Sequence, residues 1–101
     1  MVLFLCACGA DRQWQDQRTA LSAAIGDCIQ REAVAIAPKP VDLETATEVI
    51  LARCNSHLWA EERAYIDRFP GNPAYAQEQF REMAAVRADQ ARREIALART
   101  S

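Results

Sequence analysis

The chain has 101 residues, a formal net charge of −2 and an apolar fraction of 50%, but twenty of its residues are alanine, so side chains that bury large area are few. A chain of this length holds one domain with a modest core, which a covalent staple or a partner commonly supplements. The mildly acidic balance excludes a nucleic-acid-binding face, which needs clustered cations against phosphate, and no polybasic stretch is present to hold an anionic membrane surface.

The first predicted element runs from about Asp11 to Ala37. Trp14, Leu21, Ile25, Cys28, Ile29 and Ile36 recur at helical spacing on one stripe. Asp11 is the expected N-cap. Pro38-Lys39-Pro40 ends the element, because proline lacks an amide hydrogen and clashes with the preceding turn. Gly26 falls on the face opposite the stripe, and Val34 lies off it, towards solvent.

A second helix is expected from the N-cap Asp42 to about Phe69. Its stripe is Leu43, Ala46, Ile50, Leu51, Cys54, Leu58, Tyr65 and Phe69. Trp59 and Ile66 form a shorter apolar patch on the far side. Two apolar faces mark the middle helix of a bundle, so Trp59 either packs against a third helix or stands exposed as an anchor for a partner.

Phe69-Pro70-Gly71-Asn72-Pro73 then breaks the chain, with Asn72 and Pro73 as the N-cap and first residue of the next helix. That helix runs from Pro73 towards Arg99. Ala76, Phe80, Met83 and Val86 stand at core spacing, and the back half is mainly alanine and charge. Asp89 and Arg93 are spaced to pair there. This back half is expected to reach past the core. No segment alternates apolar and polar residues as a strand would. The expected fold class is all-α: a three-helix bundle-like arrangement, with a helical hairpin (about 11–37 and 42–69) and a third helix (about 73–99).

Cys28 lies ten residues before Pro38 and Cys54 twelve after Asp42. At about 1.5 Å per residue each sits roughly 15–18 Å from the turn. In an antiparallel hairpin they therefore stand opposite one another, each within an apolar stripe. That spacing predicts a Cys28–Cys54 disulfide. The other uses of these thiols are two reduced cysteines in the core, or a thiol-rich metal site with His57 that needs a fourth ligand from Cys6 or Cys8. The bridge is the expectation, and no metal or other cofactor is assigned.

No catalytic residue is assigned either. His57 is the single imidazole, with Cys54 and Glu61 at helical spacing, but a Cys–His nucleophile pair competes with the bridge for Cys54. Glu61 and Glu62 are read as a charged helix face. Three glycines leave no phosphate-binding loop. The chain is expected not to be an enzyme.

The segment Leu5-Cys6-Ala7-Cys8 resembles the lipobox at the end of a bacterial lipoprotein signal peptide, with Leu5 as the aliphatic residue, Ala7 before the cut and Cys8 as the lipidated cysteine. Gly9, Ala10 and Asp11 follow as a small, polar tether. The resemblance implies a diacylglycerol thioether on Cys8, cleavage before it and acylation of the new N-terminus. Residues 1–10 are then expected to be the end of a signal whose basic n-region lies upstream, and 11–101 a single helical domain. Beyond residue 10, Cys28, the proline break and "TATEVILARCNSHL" around Cys54 resemble small, secreted two-cysteine helical proteins of α-proteobacteria. This second likeness implies a periplasmic helical fold and transfers no active site.

Together these readings lead to a helical protein on the periplasmic side of the cell envelope, lipid-anchored to a membrane, with a structural or protein-interaction role. Its partner surface is Trp59 with Ile66, facing an envelope protein or a second copy. The alternative is a soluble helical adaptor or homodimer, cytosolic or periplasmic, without the anchor.

Overall fold

The computed structural model describes the backbone of residues 2–100 and the side chains of residue 9 and residues 11–100. Its elements are α1 (Val2–Ile36), α2 (Leu43–Arg53), α3 (Asn55–Arg68) and α4 (Pro73–Thr100), with no strand among the described residues. The fold is all-α, as the periodicity predicts. α1 spans roughly 52 Å at 1.5 Å per residue, most of the 58 Å length of the molecule.

Two boundaries differ from expectation. α1 starts at Val2 rather than Asp11, so Asp11 lies inside a helix and does not cap it. No proline intervenes before it, and the single Gly9 is too small a cost to stop the helix. The helix expected over 42–69 is two, because the chain bends at Cys54, whose φ of −93° and ψ of 15° lie in the bridge region. Cys54 N–H still donates to Ile50 O at 2.9 Å, and Leu58 N–H to Cys54 O at 3.2 Å, so the rod is kinked rather than severed. Asn55 and Ser56 follow the bend, and their short polar side chains favour helix boundaries over interiors.

Two of the three predicted caps hold, Asp42 and Asn72. Asp42 Oδ1 accepts from Thr45 N–H at 2.6 Å, starting α2. Asn72 Oδ1 accepts from Tyr75 N–H at 3.2 Å, with Pro73 as the first residue of α4.

The core is assembled from Ile25, Ile29 and Ile36 of α1, Ala46 and Ile50 of α2, and Ala91 and Ile95 of α4, around Cys28 and Cys54. Each isoleucine fully withdrawn from water contributes about 1.5–3 kcal/mol. At the other end Trp14 meets Tyr65 edge-on at 5.3 Å and Phe69 at 6.3 Å, and Phe69 meets Tyr75 at 4.9 Å. Edge-to-face contact is the arrangement ring quadrupoles prefer. Arg68 closes this cluster, pairing with Asp11 at 3.3 Å and lying over Trp14 and Phe69.

α4 differs most from its expected role. Val86 is 47% exposed, and the inward stripe runs through Ala76, Arg87, Ala91 and Ile95. Ala76 and Arg87 are eleven residues apart, three helical turns, and Arg87, Ala91 and Ile95 follow in steps of four, which places position 87 inside and turns 86 out. The back half therefore packs on the hairpin instead of reaching past it. Its end is held as well: Arg99 donates to the carbonyls of Ala37, Lys39 and Val41 at 3.2, 3.3 and 2.7 Å, closing over the turn between α1 and α2. Asp89 pairs with Arg92 at 2.8 Å, one residue short of the predicted partner Arg93, and Arg92 also reaches Glu44 at 2.9 Å. Leu43, expected on the core stripe, is 38% exposed at the first turn of α2.

Candidate functional site

The hairpin register brings Cys28 and Cys54 together as predicted. They form a disulfide with a Cα–Cα distance of 5.9 Å, inside the usual range for a bridge. Cys54 is fully buried and Cys28 nearly so. With both sulfurs in the bridge, neither serves as a thiolate ligand or nucleophile beside His57. His57 itself donates its backbone N–H to Cys54 O at 3.1 Å and helps turn the chain through the bend. Among the described residues no group of three or more His, Cys, Asp or Glu side chains is placed to hold a metal ion.

A second constellation escaped the sequence reading. Glu61, taken for part of a charged surface, and Arg87, on the charged half of α4, are both buried and paired. Arg87 Nη2 lies 2.6 Å from Glu61 Oε2, and Nε lies 3.4 Å from Oε1. The same Nη2 donates to Ser22 Oγ at 2.9 Å, and Nη1 to Gln90 Oε1 at 3.2 Å. One guanidinium thus ties α1, α3 and α4 together. The signal was available in outline: Arg87 continues the Ala91 and Ile95 stripe backwards by four residues, and Glu61 continues Ala64 and Tyr65 backwards on α3. Charge masked the pattern.

Gly26 belongs to this neighbourhood and does not face away from the bundle. A Cβ at position 26 would stand 3.3 Å from Gln90 Nε2, so glycine there leaves room for the side chain that orients Arg87. Ser22, Glu61 and Arg87 help line an open groove of about 480 Å³, together with Gln15, Arg18, Thr19 and Met83. The Arg87 donors point into the molecule, and among the described residues no buried side-chain nitrogen or oxygen lacks a partner. The network is chemically a clasp between helices.

The predicted partner surface is solvent-facing. Trp59 is 64% exposed and Ile66 42%, so Trp59 does not pack against α4. The bundle explains this: α4 contacts α3 through Glu61 and its neighbours, about 160° away round the helix from Trp59 at 100° per residue. Trp59, Glu62, Arg63 and Ile66 line one shallow open depression of about 510 Å³. The lipobox-like Leu5-Cys6-Ala7-Cys8, with the proposed lipidation position Cys8, lies outside the residues whose side chains are described. Among the described residues no helix is long and apolar enough to cross a membrane.

Fold and site together define a disulfide-stapled all-α bundle that leaves a tryptophan in solvent on α3. No protein-family model matches the chain, and no curated protein and no solved structure is similar to it.

Proposed function

We propose that the chain is a lipid-anchored protein of the bacterial cell envelope, held to a membrane through Cys8 on the periplasmic side and acting through protein contacts rather than catalysis. The observation that carries this reading is the Cys28–Cys54 bridge in the middle of the core. Bridges of this kind form and persist in oxidising compartments such as the periplasm, and are rare where thiols are kept reduced. The lipobox-like Leu5-Cys6-Ala7-Cys8 supplies a chemical route to the membrane surface.

The helical arrangement is compatible with such an anchor. With Cys8 as the first residue, α1 would run roughly 9 Å from the lipid to Trp14 at 1.5 Å per residue, and the Asp11–Arg68 and Trp14–Tyr65 contacts would be retained. The bundle would then stand on a short stem, with the Trp59 and Ile66 face free for a partner. A lone lipid chain binds membranes only marginally, so the three acyl chains of a processed lipobox cysteine suit a permanent anchor.

The test is metabolic labelling with palmitate of the protein expressed from its own gene, followed by membrane fractionation. Label on the wild type in the membrane fraction, and none on Cys8→Ala, is the expected result. A wild type that takes up no label overturns the anchor.

A further inference from the structure

We infer that the turn joining α3 to α4, with Phe69 and Tyr75, is a second membrane contact, seated in the headgroup layer of the bilayer that holds Cys8. The inference rests on the anchor proposed above and names the lipid-facing surface of the bundle.

α1 and α3 run antiparallel. Asp11 pairs with Arg68 at 3.3 Å, Trp14 meets Tyr65 and Phe69, and Arg87 joins Ser22 to Glu61 further along. α3 therefore ends, and α4 begins, at the end of the bundle that carries Cys8. Asp11 is three residues from Cys8, about 4.5 Å along α1. The headgroup layer is about 5–7 Å deep on each side of a bilayer. With Cys8 acylated, Arg68 and the turn after it thus stand at headgroup depth, because less than one helical turn of stem separates them from the lipid.

The composition of the turn suits that depth. Residues 69–77 carry no charge, in a chain of which 26% is charged. Pro70 and Pro73 have no amide hydrogen to desolvate. The N–H groups of Asn72 and Tyr75 already donate to Phe69 O and Asn72 Oδ1. Phe69 and Tyr75 meet edge-on at 4.9 Å, and Tyr75 is 41% exposed. A ring with an apolar body and a polar tip favours the membrane–water interface. Arg68, beside these rings and 39% exposed, brings a guanidinium to the level of the lipid phosphates. The far end of the bundle is different in kind. Lys39 stands in its turn, Arg99 closes over it, and the core around the Cys28–Cys54 bridge is aliphatic among the described residues. Trp14, Tyr65, Phe69 and Tyr75 all gather at the end that carries the lipid. Because Asp11 matches the Arg68 charge, the contact is expected in zwitterionic lipid and does not call for an anionic surface.

The experiment attaches the full chain to vesicles chemically, so that it does not depend on acylation in the cell. With Cys6→Ser and the Cys28–Cys54 bridge intact, Cys8 is the one thiol left to couple. It is joined to a maleimide-bearing phospholipid in phosphatidylcholine vesicles. Two single-tryptophan chains are compared. One carries Tyr75→Trp with Trp14→Phe and Trp59→Phe, and the other keeps Trp59 and carries Trp14→Phe. Phosphatidylcholine brominated near the glycerol end of its acyl chains is expected to quench the reporter at position 75. Trp59, about 15 Å further along α3 from Phe69, is expected to keep its emission. Ala74→Glu sets a carboxylate in the first turn of α4, where it favours the helix, so circular dichroism should not change. It is expected to relieve the quenching at 75, because it puts a charge on the uncharged turn. No quenching at 75 overturns the inference, as does equal quenching at 75 and 59, which means that the bundle lies on its side. Quenching that survives Ala74→Glu also overturns it, because nearness to the tether then accounts for the signal. Palmitate labelling in cells is read separately, so failure of the seat and failure of the anchor are told apart.

Discussion

Arg87 Nη2 and Glu61 Oε2 stand 2.6 Å apart with their side chains only 6% and 5% exposed, in a protein whose charged residues otherwise line its surface. A buried pair of this kind tolerates joint replacement better than the loss of one member. Its desolvation cost is already met in the folded state, and removing one partner leaves the other charge unpaired. Glu61→Ala or Arg87→Ala is therefore expected to lower stability by about 3–5 kcal/mol, whereas the double variant Glu61→Leu/Arg87→Met is expected to be neutral or more stable. Urea unfolding followed by circular dichroism measures both. Additive losses in the double variant would contradict the clasp.

The Cys28–Cys54 bridge closes a loop with a sequence separation of 26. On chain entropy this stabilises the fold by about 3.5 kcal/mol, a large share of what so small a bundle possesses. Cys28→Ala/Cys54→Ala should lose at least that much in a chemical denaturation curve, and reduction of the wild type should approach the same midpoint. Equal midpoints for oxidised and reduced protein would show that the bridge adds nothing.

The repacked half of α4 gives a contrast between near neighbours. Ile95 is fully buried and Val86 is 47% exposed. Ile95→Ala is expected to cost about 2–5 kcal/mol, and Val86→Ala to fall within about 0.5 kcal/mol of the wild type. The reverse order would restore the stripe first read from the sequence.

That reversal shows where sequence reading carries and where it stops. The hairpin was legible because two independent cues agreed, the distance of each cysteine from the proline turn and its place on an apolar stripe. The caps at Asp42 and Asn72 were legible because their chemistry is local. α4 was misread because its inward face holds alanines and an arginine, and hydrophobic periodicity is blind to a charged residue that is buried with its partner. The kink at Cys54 was missed for a different reason: Asn55 and Ser56 weaken a helix only slightly, and tertiary contacts decide whether it bends. Glu61 could be recognised only once α3 and α4 were seen side by side. Trp59, by contrast, was open to both readings, and only the packing of α4 on the other side of α3 separates them.

Acid should loosen the start of α2 in a defined direction. The backbone N–H of Thr45, and after it the Thr45 hydroxyl, hold the Asp42 carboxyl below its ordinary value of 3.8. A folded-state value below the unfolded one adds stability above the unfolded value, and that contribution is lost as pH falls through the folded value. The wild type is thus expected to lose stability on acidification below about pH 4 by more than Asp42→Ser, whose hydroxyl caps without titrating. Unfolding midpoints taken from neutral pH downwards check this, and parallel curves for the two proteins would refute it.

The central claim is that a disulfide-stapled bundle is fixed to a membrane by Cys8. Mass spectrometry of the N-terminal peptide, from protein purified out of the membrane fraction of cells expressing the native gene, tests it most directly. The account predicts a mature chain that begins at Cys8, bears a diacylglycerol thioether and an N-acyl group, and retains the Cys28–Cys54 bridge. An unmodified Cys8 in a chain that still carries Ala7 before it would contradict it.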